Sequence, residues 1–295
     1  MSTAQVVVGI DGSQTAREAM YWAAAEASRR NVELLVAHAG DAEYENQATE
    51  YGESLLAEAE AAIFETDATC PIRTRISADT PVRLLTDLSR QAELVVVGSH
   101  GLGRTGSALL GSVAFRVASH ACSPVAVIPR QWVLPSADAP VLLGVSGTSA
   151  GAAPLHYAFA EADRLQVPVL AVRTWSRIDW TGDVADLMYK TDPAFEAGQY
   201  DFLDRMLAPV RAEFPGVRVR TLVSAGKAHD VLQRESVHAR LLVLGARFGD
   251  GHRYSRLGPI TARLLHSSAC PAVVVGHKAP SEPATAAEPA MASHG

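Results

Sequence analysis

The stretch best suited to chemistry in this 295-residue chain is residues 98–112, GSHGLGRTGSALLGS. It contains five glycines and no lysine, and it separates the apolar run AELVVV from a helical pattern over residues 112–120. Glycines allow positive φ and close backbone approach, and a helix N-terminus favours anions. Backbone N–H groups, the Ser112 hydroxyl and Arg104 could therefore hold phosphates. The alternative is a flexible surface loop with a glycine cap.

Asp11 follows directly after the first apolar run of the chain, QVVVGI. A carboxylate there could accept hydrogen bonds from a sugar hydroxyl or an amino group. It could equally form an Asx turn or a helix cap before Ser13. The residues alone leave both roles open.

The glycine loop also contains a formal G-x-G-x-x-G pattern at residues 101–106. The dinucleotide fingerprint of that form belongs after the first strand and has an acidic residue about 20 positions further on. Here the pattern follows the fourth apolar run, and residues 117–130 contain no Asp or Glu. The sequence therefore argues against NAD.

Other chemically capable side chains form no recognisable site. The spacing of His38, His100 and His120 matches no metal-ligand pattern, and we expect these histidines at solvent-exposed positions or loop ends. Trp175 and Trp180 flank an insertion, where packing is the expected role. No Ser-His-Asp arrangement can be inferred, so the sequence assigns no catalytic residues.

The elements that must position the glycine loop alternate between strand and helix. Strands are predicted over residues 5–10, 32–38, 72–77, 93–98 and 124–128, and helices after Ser13 and over residues 47–66, 81–91 and 112–120. This alternation predicts an α/β fold with an open, parallel, doubly wound sheet. The strand at 72–77 alternates with period two and is predicted at the edge. Ligands of such sheets bind at the carboxyl ends of the strands.

An internal repeat shows that the chain contains this unit twice. The segment beginning at Val6 aligns with the one beginning at Val141, and the segment at Ala92 aligns with the one at Ala239. The offset grows from 135 to 147 residues, so the second copy has twelve extra residues, which we place within 176–199. The predicted organisation is a first copy (1–130), a linker (131–140), a second copy (141–276) and a disordered tail (277–295).

Composition and charge exclude several classes of protein. The chain is 48% hydrophobic and 20% charged with a net charge of −6, as in soluble globular proteins, and no apolar run reaches about 18 residues. Neither copy has the basic bias of a nucleic-acid binder. The N-terminus lacks the basic region of a signal peptide, and three cysteines without a CxxC motif predict buried, reduced thiols in the cytoplasm. Lysine occurs only at positions 190, 227 and 278, which excludes a P-loop lysine from the first copy.

The spacing Gly98-x2-Gly101-x9-Gly111-Ser112 resembles the ATP-binding motif G-x2-G-x9-G-[ST] of the universal stress protein family. The segments VGIDGS, LVAHA and CSPVAVIP are similar to that family as well. The resemblance covers nearly all of residues 4–130 and, more loosely, 140–276. It implies a tandem member with two domains of the adenine nucleotide alpha hydrolase-like fold.

The resemblance also implies which residues bind ATP, with or without Mg²⁺. Asp11 and Gly9 would line the pocket for adenine and ribose, and Ala39 would meet the adenine edge through its backbone. The residues that would wrap ribose and phosphates are Gly98, Ser99, His100, Gly101, Leu102, Gly103 and Arg104. Those that would close on the phosphates are Gly111, Ser112 and Val113.

The second copy departs from the motif at three positions. It has Ser146 for Asp11, Phe248 for Gly101 and Pro259 for Ser112, although Gly245 and Gly258 remain. These changes remove an acceptor charge, fill space near the phosphates and remove a hydroxyl with an N–H. We therefore expect this copy to bind ATP poorly or not at all, and to serve as an interaction partner of the first.

The function implied is an ATP-binding stress-response regulator that acts on a regulatory protein partner the sequence does not identify. A slow ATPase or a nucleotidyl-transfer enzyme on the same fold is the alternative, and a scaffold without nucleotide is a third. The short strands PVAVI (124–128) and PAVVV (271–275) predict that the two copies pair through their sheet edges within the chain. The family resemblance then implies a homodimer, without a membrane or nucleic acid as partner.

Overall fold

The computed structural model describes residues 4–40, 45–101, 110–133, 135–146, 152–175, 193–248 and 255–276. Among these residues no helix is both long and apolar enough to cross a membrane. Leu102, Gly103 and Arg104 of the glycine loop lie outside the described residues, as do Trp180 and the predicted tail.

The first half alternates strand and helix as its hydrophobic pattern predicts. Its elements are β1 (Gln5–Gly9), α1 (Gln14–Arg30), β2 (Glu33–Ala39), α2 (Glu45–Phe64), β3 (Ile72–Ser77), α3 (Pro81–Leu88), β4 (Leu94–Gly98), α4 (Ser112–His120) and β5 (Val125–Ile128). Ser13 caps α1 by accepting the Ala16 N–H at 3.2 Å, and Thr80 caps α3 with Pro81 at its first position. Helix starts therefore lie where the capping residues predict them.

The second half repeats this order with an added hairpin. Its elements are β6 (Val141–Gly144), α5 (Ala152–Leu165), β7 (Val169–Trp175), α6 (Pro193–Glu213), β8 (Val219–Ala225), α7 (Ala228–Ser236), β9 (Leu241–Gly245), β10 (Arg247–Phe248), β11 (Ser255–Arg256), α8 (Pro259–Ser267) and β12 (Ala272–Val275). The short strands β10 and β11 pair with each other antiparallel. The expected insertion falls partly on α6 and otherwise outside the described residues.

The two halves form one ten-stranded sheet in the order β3-β2-β1-β4-β5-β12-β9-β6-β7-β8. Pairing is parallel within each half, and β12 pairs antiparallel with β5, with Val273 opposite Ala126. The α/β fold class, the edge position of β3 and the pairing of the halves within the chain are thus confirmed. In each half the order reverses beside the first strand, between β1 and β4 and between β6 and β9.

Alternate residues of each buried strand point to opposite faces of the sheet, and helices cover both faces. Val6 and Val8 of β1 lie in the core beneath α1 and α2, whereas Val7 faces α3 and α4. All three are fully buried. A strand buried on both faces has to be continuously apolar, which explains the VVV and LVVV runs of β1 and β4.

A buried cluster of charges joins the first helix of one half to that of the other. Arg30 on α1 contacts Glu26 at 2.8 Å and Glu161 on α5 at 2.5 Å, and all three side chains are at most 6% exposed. At the more exposed edge of the cluster, Arg29 pairs with Glu26 and Arg164 pairs with Glu161. Glu26 and Glu161 occupy equivalent positions of the repeat, so Arg30 bridges two carboxylates related by the internal symmetry.

Two expectations about polar side chains were correct only in part. His38 is buried within β2 rather than placed in solvent or at a loop end, and its Nδ1 lies 2.9 Å from the Ile10 carbonyl oxygen. Of the cysteines only Cys270 is buried; Cys70 is half-buried and Cys122 exposed. The apolar pattern around each residue sets the strand or helix, but the packing of neighbouring elements sets the exposure.

Candidate functional site

A cavity of about 330 Å³ opens at the carboxyl ends of β1, β2 and β4 in the first half. This is the point where the strand order reverses, the usual ligand position in doubly wound sheets. The described lining residues come from the ends of those strands and from the starts of α1, α3 and α4: Gly9, Ile10, Asp11, Ala16, Ala37, Ala39, Pro81, Leu84, Leu85, Val97, Gly98, His100, Gly101, Gly111, Ser112, Val113 and Ala114.

The end of β1 brings Asp11 to this cavity through a tight turn. An added Cβ at Gly9 would lie 2.8 Å from Leu85 Cδ1 on α3, so a side chain at position 9 would require Leu85 to move. Asp11 Oδ1 accepts the Ser13 N–H at 3.0 Å, and Gly12 between them has φ of +85°. The Asx turn left open by the sequence is therefore present. The same residue lines the cavity, so the two roles of Asp11 are compatible.

The start of the glycine loop lies against α1. An added Cβ at Gly98 would lie 2.8 Å from the Thr15 carbonyl carbon and 3.0 Å from the Ala16 nitrogen. The Thr15 hydroxyl donates to the His100 carbonyl. Backbone thus lies directly on backbone here, which leaves no space for a side chain at position 98.

Gly101 lies directly beside the Asp11 carboxylate in the cavity lining. A Cβ at Gly101 would lie 2.5 Å from Asp11 Oδ2, closer than van der Waals contact allows. Gly101 does not have positive φ. The glycine is therefore needed for the close approach to the carboxylate and not for its backbone conformation.

The two ends of the glycine loop are tied together at Ser99. The Ser99 carbonyl accepts the Gly111 N–H at 2.8 Å, and the Ser99 N–H donates to Ile128 at 2.9 Å. The Ser99 hydroxyl lies 2.9 Å from His100 Nδ1. Ser99 is 2% exposed and is absent from the described cavity lining. Its contacts close the loop, whereas His100 lines the cavity.

The N-terminus of α4 forms the anion-favouring wall of the cavity. Gly111 is the N-cap, and Ser112 and Val113 are the first two residues of the helix. The first turn of a helix leaves N–H groups without intrahelical partners and carries partial positive charge. The Ser112 hydroxyl adds another donor beside these groups, so this wall suits phosphate.

The opposite wall is apolar and was largely missed by sequence reasoning. Ala37 and Ala39 at the end of β2 face Pro81, Leu84 and Leu85 of α3. The Thr80-Pro81 pair identified the helix start, but no local signal shows that this helix covers a ligand cavity. The amphipathic pattern of α3 gives the buried face, and only the tertiary packing shows that part of this face lines a cavity.

Nine of the thirteen residues predicted for the ATP site line this one cavity: Gly9, Asp11, Ala39, Gly98, His100, Gly101, Gly111, Ser112 and Val113. Ser99 stands behind the lining, and the other three lie outside the described residues. Residues separated by about 100 positions in sequence are thus placed together. Their contact with a nucleotide stays a prediction.

The second half contributes a histidine beside the first cavity. The ring of His266 on α8 packs edge-on against that of His100, with 5.8 Å between the ring centroids. Burial and the nearby His100 lower the pKa of His266. Its Nδ1 is buried and has no hydrogen-bond partner among the described residues. The two halves therefore touch directly at a residue that lines the cavity.

The second half has a cavity of its own at the equivalent place, about 260 Å³ in volume. Ser146 and Pro259 line it where Asp11 and Ser112 line the first. Gly245 and Gly258 also line it. The side chain of Phe248 is outside the described part of the chain. The second copy has therefore kept a cavity while its polar groups have changed.

The fold defines the class of protein as a tandem α/β protein, in which a doubly wound domain is present twice in one chain. The family model of the universal stress protein family matches this chain twice, over residues 3–129 and 139–276. The chain belongs to the universal stress protein family.

Several relatives span almost the whole chain. Universal stress protein Rv2005c of Mycobacterium tuberculosis is 30% identical over 286 residues, which cover 91% of this chain and 96% of that protein. Universal stress protein Rv2623 of the same organism is 30% identical over 291 residues, 92% of this chain and 96% of its own. The crystal structure of a universal stress protein from Archaeoglobus fulgidus has the same fold, with a TM-score of 0.69 and 18% identity over 94% of this chain and 99% of that one.

Proposed function

We propose that the first half binds ATP and that the protein is a nucleotide-dependent regulator of the stress response. The observation that carries the proposal is the construction of the first cavity. An apolar wall from β2 and α3 and an anion-favouring wall from the glycine loop and α4 face one another, with Asp11 beside them. Adenine, ribose and phosphates require these three environments in this order.

Each wall has a distinct part in binding. Leu84, Leu85 and the alanines at the end of β2 would cover the adenine ring, and Asp11 would accept hydrogen bonds from ribose or the base. Gly101, Ser112 and the first N–H groups of α4 would hold the phosphates. Charge-assisted hydrogen bonds of this kind are roughly twice as strong as neutral ones. No lysine is required for such a site.

Magnesium, if it accompanies ATP, would be held mainly by the phosphates. Within the described ranges no group of three or more His, Cys, Asp or Glu side chains is arranged to hold a metal ion. Mg²⁺ keeps several waters and is commonly bound through substrate phosphates. We expect ATP affinity to depend on Mg²⁺ only through the charge of the nucleotide.

The regulatory role rests on coupling between the cavity and the second half. His100 lines the cavity and also contacts His266, so a nucleotide at the loop would act on the boundary of the halves. A ligand that binds one arrangement of this boundary better shifts the population toward it. A regulatory protein partner in the cytoplasm would then recognise and bind that arrangement.

One ATP per chain is expected, bound in the first half. Two substitutions at the same position test this with a built-in comparison. Ser112→Ala removes the hydroxyl only, whereas Ser112→Pro copies Pro259 and removes the N–H as well. Proline is favoured at the first position of a helix, so the fold should persist. Ala should weaken ATP binding about 5- to 20-fold, and Pro should weaken it further.

The measurement is calorimetric titration of ATP, with circular dichroism as the folding control. Mass spectrometry of the denatured protein would identify any nucleotide that was retained through purification. Two equivalent ATP sites per chain, or unchanged affinity in a folded Ser112→Pro variant, would contradict the proposed site.

A slow ATPase is the second candidate, and the position of His100 is the observation that favours it. Its ring lines the cavity near the phosphate-favouring wall and is oriented by Ser99. A histidine can serve as a general base. Steady-state release of phosphate at about 1 per second or faster, abolished in His100→Gln, would support the enzyme over the regulator.

A further inference from the structure

The second cavity differs from the first in the sign of its charge. Asp11, which lines the first cavity, corresponds to Ser146, and His38 corresponds to Arg173, which lines the second. Among the lining residues that the structure describes, Arg173 is the one ionisable side chain. The second cavity has thus lost a carboxylate and gained a cation.

Arg173 is held in place by α6. Its Nε donates to Gln199 Oε1 at 2.7 Å, and its Cζ lies 4.1 Å from the centroid of the Phe202 ring. Burial lowers the pKa of Arg173, yet an arginine stays protonated in proteins. Within the described part of the chain no carboxylate lies within 4 Å of it. A fixed, partly desolvated guanidinium of this kind is suited to an anionic ligand.

The anion-favouring wall of the first cavity is only partly kept in the second, where the N–H groups of Ile260 and Thr261 remain in the first turn of α8. Pro259 begins α8 and has no N–H to donate. The Thr261 hydroxyl donates to the Gly245 carbonyl at 3.2 Å, at the place where Ala114 lines the first cavity. Around these positions the lining is aliphatic: Val145, Pro154, Leu155, Val172, Met206, Leu232, Leu244 and Ile260.

We propose that the second cavity binds a small organic monocarboxylate with an apolar body, its carboxylate paired with Arg173. The volume of about 260 Å³ is smaller than the 330 Å³ of the first cavity, which suits a ligand smaller than ATP. A planar guanidinium matches a carboxylate through two parallel hydrogen bonds. A phosphate monoester carries about two charges at neutral pH, for which the described lining offers a single cation.

Octanoate and octanamide test this as a matched pair of probes, because they differ only in the charged head group. Calorimetric titration of the full chain should give one octanoate per chain and at least about tenfold weaker binding of octanamide. Arg173→Gln should lower octanoate affinity at least about tenfold and leave octanamide unchanged. Arg220→Gln, which removes an exposed arginine on β8, is the charge-matched control and should change neither.

Carboxylate binding at Arg173 does not depend on ATP binding by the first half. Failure of ATP to bind would overturn only the proposed function, whereas octanoate should bind at the same affinity with or without ATP. Equal affinity for octanoate and octanamide in the wild type would overturn the carboxylate site even if Arg173→Gln failed to fold. Phenylacetate serves as a second carboxylate probe. If neither octanoate nor phenylacetate showed saturable binding, the carboxylate site would be overturned as well. Competition between octanoate and ATP would also overturn it.

Discussion

The side chains allowed at positions 11 and 101 depend on each other, because the two residues share one space at the first cavity. The Asp11 carboxylate uses one oxygen for the Ser13 N–H, and its other oxygen occupies the space that a Cβ at Gly101 would need. In the second copy both positions change together, to Ser146 and Phe248. Serine carries a hydroxyl in place of the carboxylate and extends less far from the backbone, so the change at position 11 removes the constraint on position 101.

A double-mutant cycle measures this coupling. Gly101→Ala should weaken ATP binding about tenfold because Asp11 must move, and Asp11→Ser should cost about 1–3 kcal/mol of binding free energy. Together they should cost at least about 0.5 kcal/mol less than the sum, since Ser leaves space for the new methyl group. Calorimetry with ATP gives the four affinities. Strict additivity would show that the two residues do not meet in solution.

Gly101→Phe, which copies the second half, should abolish ATP binding in a protein that still folds. The phenyl ring would occupy the space beside the phosphate wall, and the backbone at Gly101 lies outside the positive-φ region. Near-ultraviolet circular dichroism would check the fold before the ATP titration. A folded Gly101→Phe variant with wild-type affinity would remove the glycine loop from the site.

At the scale of elements, the contact between β4 and α1 places the glycine loop. Gly98 ends β4 against the backbone of Thr15 and Ala16, and the Thr15 hydroxyl holds the His100 carbonyl. Neither backbone can yield without moving a strand or a helix. Gly101, by contrast, meets only the end of one side chain.

Gly98→Ala should therefore lower the free energy of unfolding by about 1–3 kcal/mol, the usual cost of overpacking. Gly101→Ala should lower it by less than about 1 kcal/mol, because a carboxylate can turn aside. Urea denaturation of both variants, followed by circular dichroism, compares the same chemical change at two positions of one loop. A larger loss in Gly101→Ala would contradict this account of the contacts.

At the scale of the whole molecule, Arg30 joins the two halves through Glu26 and Glu161. Burial raises the pKa of Glu161, and the Glu26 carboxylate adds to that rise. Burial also acts on Glu26, but Arg30 and Arg29 outweigh it and hold the pKa of Glu26 below its ordinary value. Two buried carboxylates so close together require the arginine between them.

Arg30→Met should destabilise the protein by about 3–5 kcal/mol at neutral pH, because it leaves two buried carboxylates without their shared cation. Without Arg30 the folded-state pKa values of both carboxylates should rise above the unfolded ones. Stability from such groups is complete below the unfolded pKa and lost as pH rises through the folded pKa, so the penalty should shrink as pH falls toward about 4.5 and be smallest below that pH. Urea unfolding of the wild type and of Arg30→Met at several pH values measures this loss of unfolding free energy.

Arg29→Met is the matched control, since the Arg29 side chain is 37% exposed and forms its ion pair with Glu26 at the edge of the cluster. It should cost no more than about 1 kcal/mol. An Arg30→Met penalty that stays constant between pH 7 and pH 4 would mean that the carboxylates are not charged in the folded protein.

The assembly of whole chains stays a prediction. The edges of β5 and β12, where pairing was expected, already pair with each other within one chain. A homodimer would have to form through another surface, and the described sheet ends at β3 and β8. Light scattering should give a mass of two 31.3 kDa chains. A single-chain mass at every concentration, with and without ATP, would rule the dimer out.

The sequence by itself determined the strands, the helices and their repetition. Period and capping are local properties, so VVV at Val6–Val8, Ser13 and Thr80-Pro81 were sufficient to place β1, α1 and α3. The glycine spacing from Gly98 to Ser112 likewise indicated one side of the site. Each signal lies within about fifteen residues and needs no knowledge of what packs against it.

Only the tertiary structure decided what meets across long distances in the chain. The contact of Gly101 with Asp11, the apolar wall from α3 and the bridge from Arg30 to Glu161 join residues about 40 to 130 positions apart. Arg30 in particular has no counterpart in the repeat, where Leu165 takes its place, so no sequence pattern marks it. Burial depends on which elements pack together, and that is a property of the whole sheet rather than of any segment.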